Sequence, residues 1–159
     1  MSFDFGENVK MLIADFDGVF TDGGVYIDEQ GKMSKKLNFA DVMGLFHFVK
    51  NGYKFAIISG EESAAVNYLA QKLNLTDVYQ KVRDKSAVMT EIMQKYNLKA
   101  DEIIYAGDDI NDIAPMNMVK YAVAPKNANY KVKNVEHVQV SALSGAEGFI
   151  REITDSVLK

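Results

Sequence analysis

Acidic residues follow apolar runs twice in this sequence, and their spacing limits what they could do. Val9–Ala14 runs into Asp15-Phe16-Asp17-Gly18, and Ile103–Ala106 runs into Gly107-Asp108-Asp109, with Asp112 close behind. A third run, Lys54–Ile58, ends in Ser59-Gly60, and Lys85 opens a later helical pattern. Ligands of open parallel sheets bind beyond the carboxyl ends of the strands. If these strands run parallel, their polar ends converge at one edge. Carboxylates brought that close repel and raise one another's pKa, and a cation offsets them. Oxygen ligands without Cys or His suit a hard ion, Mg2+ above others, with Asp15, Asp17, Asp108 and Asp109 as ligands and Asp112 in support.

A metal held by so few carboxylates keeps positions open for water and a substrate phosphate. The pattern then predicts phosphoryl transfer. Asp15 attacks phosphorus as a covalent nucleophile. Asp17, two residues on along a turn, reaches the leaving oxygen as general acid and then activates the water that cleaves the aspartyl-phosphate. Ser59 and Lys85 stabilise charge on the equatorial oxygens, and backbone N–H groups around Gly18 and Gly60 point at phosphate. Plainer readings exist beside these. An Asp-x-Asp is often a solvated turn, Ser59-Gly60 a simple strand-to-helix turn, and Glu61 a first-turn acid favoured by the helix dipole. Lys85 at a helix start is disfavoured by that dipole, which itself hints at a nearby anion. His47 and His137 read as packing or surface residues, and the methionines as core filler.

The elements that must position these residues alternate along the chain. Buried-type strands are expected at Val9–Ala14 and Lys54–Ile58, and further strands at Ile103–Ala106, Tyr121–Ala124 and Val138–Val140. Val25–Asp28 and Lys35–Asn38 flank a turn at Glu29-Gln30-Gly31 and read as a hairpin. Asp41 is the expected N-cap of a helix that stops at Gly52. Val66, Leu69, Ala70 and Leu73 follow helical spacing, as do Val88, Met89, Ile92, Met93 and Tyr96, and Phe149, Ile150, Ile153 and Val157 mark a closing helix. Strands alternating with helices predict an α/β fold, a mostly parallel sheet with helices on both faces.

Composition narrows the classes further. The 159 residues, 48% hydrophobic and 25% charged, predict one globular domain spanning 1–159. The net charge of −4, from 18 basic and 22 acidic residues, lacks the basic excess of nucleic-acid binders. With no cysteine and two histidines, thiol catalysis and Cys/His zinc sites are excluded. The lack of cysteine fits a cytoplasmic setting. No apolar run approaches a membrane span and the first residues lack a signal-peptide pattern, so no membrane role is expected.

The order Asp15-Phe16-Asp17-Gly18-Val19, Ser59, Lys85, Gly107-Asp108-Asp109 and Asp112 resembles all four motifs of the haloacid-dehalogenase-like phosphohydrolases. Thr21-Asp22-Gly23, Lys36-Leu37-Asn38 with Asp41 and Gly44, Tyr79-Gln80 and the Gly145–Glu152 tail resemble one subgroup. These are the small phosphatases of 2-keto-3-deoxy sugar acids, acting on 3-deoxy-D-manno-octulosonate 8-phosphate or nine-carbon, sialic-type 9-phosphates. The resemblance implies a three-layer Rossmann-like fold with a β-hairpin flap after the first strand and no cap domain. It also implies a homotetramer in which the Gly23–Leu37 hairpin assembles subunits and the tail reaches an adjacent site. Substrate contacts carried over are Gly18, Thr21, Asn38, Asp41, Gly60, Glu61 and Lys72.

Departures from the subgroup bear on the substrate. Glu61, Leu69 and Ala40 stand where the octulosonate enzymes resemble each other in carrying arginines, and Lys or nothing cannot replace a bidentate fork. Glu61, held by Lys72, and Gly145-Ala146-Glu147-Gly148-Phe149 look more like the nononate enzymes, although Ser144 stands where that group has Gly. The nononate 9-phosphate is therefore the favoured substrate, with the octulosonate 8-phosphate next. Two other classes compete: a receiver-like phosphoacceptor domain, and a non-catalytic oligomerisation module.

Overall fold

Four apolar residues in a row, Met11–Ala14 (β1), can be strand only if both faces are covered, and all four are buried. The computed structural model describes residues 3–159. In it β1 is followed by Tyr26–Ile27 (β2), Met33–Ser34 (β3), Phe39–Lys50 (α1), Lys54–Ile58 (β4), Ala64–Lys72 (α2) and Asp77–Tyr79 (β5). Then come Lys85–Tyr96 (α3), Ile103–Ala106 (β6), Ile113–Met116 (α4), Tyr121–Ala124 (β7), Tyr130–Lys133 (α5), Val138–Val140 (β8) and Phe149–Val157 (α6). Six strands form one sheet in the order β5-β4-β1-β6-β7-β8, every pair parallel.

Alternation along the strands divides the core into two layers. Leu12 and Ala14 of β1 pack with Val42, Leu45 and Phe48 of α1, Leu69 of α2 and Ile150 and Ile153 of α6. Met11 and Ile13 face Met89 and Ile92 of α3, Met116 of α4 and Val132 of α5. The result is the expected three-layer α/β sandwich. The strand order reverses between β1 and β6, and such a switch point opens a crevice at the carboxyl edge. Asp15 N–H donates to Ala106 O at 2.9 Å, so the first acidic cluster lies in that crevice beside the end of β6.

Two local expectations need correction. The hairpin strands are only two residues each, and the segment expected as strand at Lys35–Asn38 is the approach to α1. The N-cap of α1 is Asn38, whose Oδ1 accepts from Ala40 N–H at 2.8 Å, rather than Asp41. Asp41 lies within the first turn and is buried, so it cannot cap its own helix. The helix ends as expected, at Asn51 and a left-handed Gly52.

Candidate active site

Lys85 begins α3 because Asp84 before it caps the helix, accepting from Ser86 and Ala87 N–H. That places the Lys85 side chain under the carboxyl edge of the sheet, 1% exposed. Its Nζ lies 2.8 Å from Asp112 Oδ1 and 3.1 Å from Asp15 Oδ2. Asp112 is fixed in turn. The buried Tyr105 hydroxyl of β6 donates to its Oδ1 at 2.8 Å, and the N–H groups of Asp108 and Asp109 donate to its Oδ2 at 3.0 and 3.1 Å. Asp15 accepts from Phe16 N–H at 2.7 Å.

One carboxylate oxygen from each of Asp15, Asp108 and Asp112 lies within 4.8 Å of the others. Among the described residues, Asp108 Oδ1 is the buried side-chain oxygen without a partner. Burial, with the Asp112 charge added, pushes the Asp15 carboxyl up to about 7, against the pull of Lys85. Burial and the charges of Asp15 and Asp112 push Asp108 up to about 8. Burial alone would push Lys85 down, but Asp112 and Asp15 outweigh it and the ammonium sits above the ordinary lysine range. A site with one buried cation, three acids and an orphaned oxygen fits a hard divalent ion.

The glycine of the first motif is demanded by this packing. Gly18 has φ +82°, and a Cβ there would come within 1.9 Å of Asp108 Oδ2. Its N–H, however, is not free for a phosphate. It donates to Thr21 Oγ1 at 3.1 Å, as does Gly23 N–H, so the buried Thr21 organises the loop rather than facing a ligand.

The other expected residues separate into two groups. Asp15, Asp17, Ser59, Gly60, Glu61 and Asp108 line a cleft of about 300 Å3. A wider vestibule of about 910 Å3 adjoins it, sharing Asp17 and Glu61 and walled by Val25, Met33, Phe39 and Tyr68. Asp109 also borders the cleft, but its Oδ1 accepts from Ile110 N–H and Asn129 Nδ2. The Asp17 carboxylate meets Lys35 Nζ at 2.7 Å. The tight acid cluster is therefore Asp15, Asp108 and Asp112, while the Asp17 carboxylate at the cleft edge is paired with Lys35. Lys72 does not hold Glu61: its Nζ lies 5.7 Å from the ring centroids of both Phe39 and Tyr68.

Asn38 and Asp41 serve the tail. Asn38 Nδ2 donates to Ala146 O at 3.0 Å, and Asp41 accepts from Gly148 and Arg151 N–H at 3.2 and 2.9 Å, at the start of α6. Gly145 packs so tightly on the first loop that a Cβ would approach Gly18 O and Thr21 O to 2.2 Å. Gly145 and Ala146 thus lie against the first loop and the start of α1 in their own chain.

Four residues at the site escaped the sequence reading. Tyr105 hides in an apolar strand run, although its alternation with Ile104 aims it at α3. Asn127 joins three segments, donating to Gly18 O at 2.9 Å and accepting from Gly145 N–H at 2.8 Å. Asn111 borders the cleft, and Lys35 is one of three lysines in the hairpin's second half.

The family model described as haloacid dehalogenase-like hydrolase matches residues 56–148. The 3-deoxy-D-manno-octulosonate 8-phosphate phosphatase of Yersinia pestis is 30% identical over 95% of this chain and 80% of its own length. The solved structure of the Yersinia pestis enzyme superposes with a TM-score of 0.90, covering 96% of this chain and 82% of that one. A cobalt-bound deoxy-D-mannose-octulosonate 8-phosphate phosphatase of Haemophilus influenzae is 27% identical, with a TM-score of 0.88 over 96% of this chain and 88% of that one.

Proposed function

This chain belongs to the haloacid dehalogenase-like hydrolases, and from that premise we propose that it is a Mg2+-dependent phosphatase of a 2-keto-3-deoxy sugar acid phosphate. The observation that carries the reading is the meeting of Asp15, Asp108 and Lys85 at the sheet's switch point. A hydrolase of phosphoric monoesters needs a nucleophile, an acid and charge stabilisation at one place, and the cleft supplies all three.

Asp15 and Asp108 would hold the Mg2+, and Asp112 positions them by fixing Lys85 and the loop amides. The metal, when bound, neutralises charge on the acids and on the phosphate. A carboxylate oxygen of Asp15 attacks phosphorus, and the bond from phosphorus to the sugar oxygen breaks. Asp17 gives its proton to that leaving oxygen. It then takes a proton from water, whose oxygen attacks phosphorus and breaks the bond to Asp15. Phosphate leaves with Asp15 restored. Lys85 and Ser59 stabilise the negative charge on the transferring group.

The Yersinia pestis and Haemophilus influenzae proteins are named for octulosonate 8-phosphate, which makes that the first substrate to try. The nine-carbon acid is the second reading. It is favoured by Glu61 at the junction of cleft and vestibule and by the absence of arginine at Ala40 and at the fully buried Leu69. The chain works as one domain, and a homotetramer closes the site. Val25, Tyr26, Ile27 and Met33 leave 46–70% of their surface exposed on the hairpin, a patch suited to a second copy.

The test is kcat/KM with Mg2+ on octulosonate 8-phosphate and nononate 9-phosphate, side by side. A tenfold preference equals about 1.4 kcal/mol of differential transition-state binding. Phosphate release from either, abolished by chelation, supports the reading. Inertness toward both overturns it.

A further inference from the structure

The second half of the hairpin is exposed at Lys32, Met33, Ser34 and Lys36, but Lys35 turns inward and keeps only 10% of its side chain in solvent. Its ammonium meets Asp17 Oδ1 at 2.7 Å and lies 6.0 Å from the ring centroid of the fully buried Phe16. Among the described residues, Lys35 is the one polar partner of the Asp17 carboxylate. Asp17 itself sits on a loop with about a third of its side chain exposed.

We infer that Lys35 is a positioning residue for the reaction: it holds the Asp17 carboxylate toward the mouth of the cleft and ties that acid to the hairpin. The inference rests on the proposed role of Asp17 as proton donor to the leaving oxygen. A charge-assisted hydrogen bond from a nearly buried ammonium is shorter and stronger than a neutral one. Lys35 follows β3 directly, and β3 pairs with β2 through Tyr26–Ser34 and Ile27–Met33. Any change in the hairpin's register moves Lys35, the partner of Asp17. The hairpin would therefore report its own placement, and that of a second copy seated on it, to the reacting atoms.

Two phosphates distinguish this role from a merely structural one. Octulosonate 8-phosphate leaves as a strongly basic alkoxide and needs a proton from Asp17, whereas p-nitrophenyl phosphate leaves as a weakly basic phenolate and does not. Misplacing a general acid forfeits part of a typical 10²–10⁴-fold contribution. The expected result for Lys35→Met is a fall in kcat of about 10–100-fold on octulosonate 8-phosphate, with KM little changed, and less than about threefold on p-nitrophenyl phosphate. Lys35→Arg, which keeps the charge, should recover part of the selective loss. Melting temperature and assembly state are measured on the same samples. If Lys35→Met does not fold, Lys35→Gln and Lys35→Arg are compared by the same ratio. An equal loss on both phosphates, or no loss on either, overturns the inference. Failure of the phosphatase reading looks different: the unaltered chain would release phosphate from neither.

Discussion

Asp112 and Lys85 stand 27 positions apart in sequence, yet their charged atoms meet at 2.8 Å and neither side chain is open to solvent. The pair locks the turn between β6 and α4 to the start of α3 beneath the cleft. Breaking such a pair from one side leaves an unpaired buried charge, and Lys85→Met would strand two carboxylates at once. The expected destabilisation is about 3–5 kcal/mol, or a melting temperature lower by roughly 6–20 °C for a chain of this size. An unchanged melting curve in the presence of chelator would show that the pair carries no stability.

Gly18→Ala tests the fit between the first loop and Asp108. The new methyl group would fall 1.9 Å from Asp108 Oδ2, at a backbone φ of +82° that alanine rarely adopts. Asp108 must then move. The expected outcome is Mg2+ affinity weakened at least about tenfold, or 1.4 kcal/mol, by calorimetric titration. Affinity equal to that of the unaltered chain would mean that Asp108 is not a ligand.

The acid cluster also predicts how stability responds to pH. Burial and neighbouring charge raise Asp15 to about 7 and Asp108 to about 8, above the roughly 3.9 of an unfolded Asp. A raised carboxyl binds its proton more tightly in the folded chain. Its contribution is full below the unfolded value and is lost as pH climbs through the folded one. In EDTA, therefore, the melting temperature should fall between about pH 4 and pH 8. Saturating Mg2+ favours the ionised acids and should flatten that slope. Parallel curves with and without Mg2+ would contradict the assignment of the ion to these carboxylates.

Assembly is tested on the hairpin. Tyr26 and Ile27 are 70% and 64% exposed. A chain carrying Tyr26→Asp and Ile27→Asp should run as a monomer in light scattering, against a tetramer for the unaltered chain. On the proposal that a tetramer closes the vestibule, phosphate release should fall with it. Full activity in a monomer would mean that no second copy is needed to close the site.

Much of this was legible in the sequence because period and punctuation carried it. Four apolar residues before Asp15, and four before Gly107, could only be covered strands, and the polar residues after them had to meet at one edge. What the sequence could not convey is how each polar atom is used. Thr21 and Asn38 have side chains that suit a ligand equally well as a neighbouring loop, and three-dimensional packing gives both to loops and caps. Asp41 reads from sequence as a cap or a substrate contact alike, and only the fold shows the start of α6 donating to both of its oxygens. Lys35 stands beside exposed lysines of the same hairpin, and only the inward turn of its side chain separates it from them. Tyr105 reads as one more core aromatic until its hydroxyl is seen on Asp112.

The most direct test of the account is chemical capture of the phosphoryl group on the chain. Enzyme turning over octulosonate 8-phosphate with Mg2+ is quenched in acid, digested and examined by mass spectrometry, alongside Asp15→Asn. The account predicts a phosphorylated peptide containing Asp15 and a loss of phosphate release of at least about 10³-fold in the variant. Undiminished turnover by Asp15→Asn, or a phosphoryl group on any other residue, would contradict it.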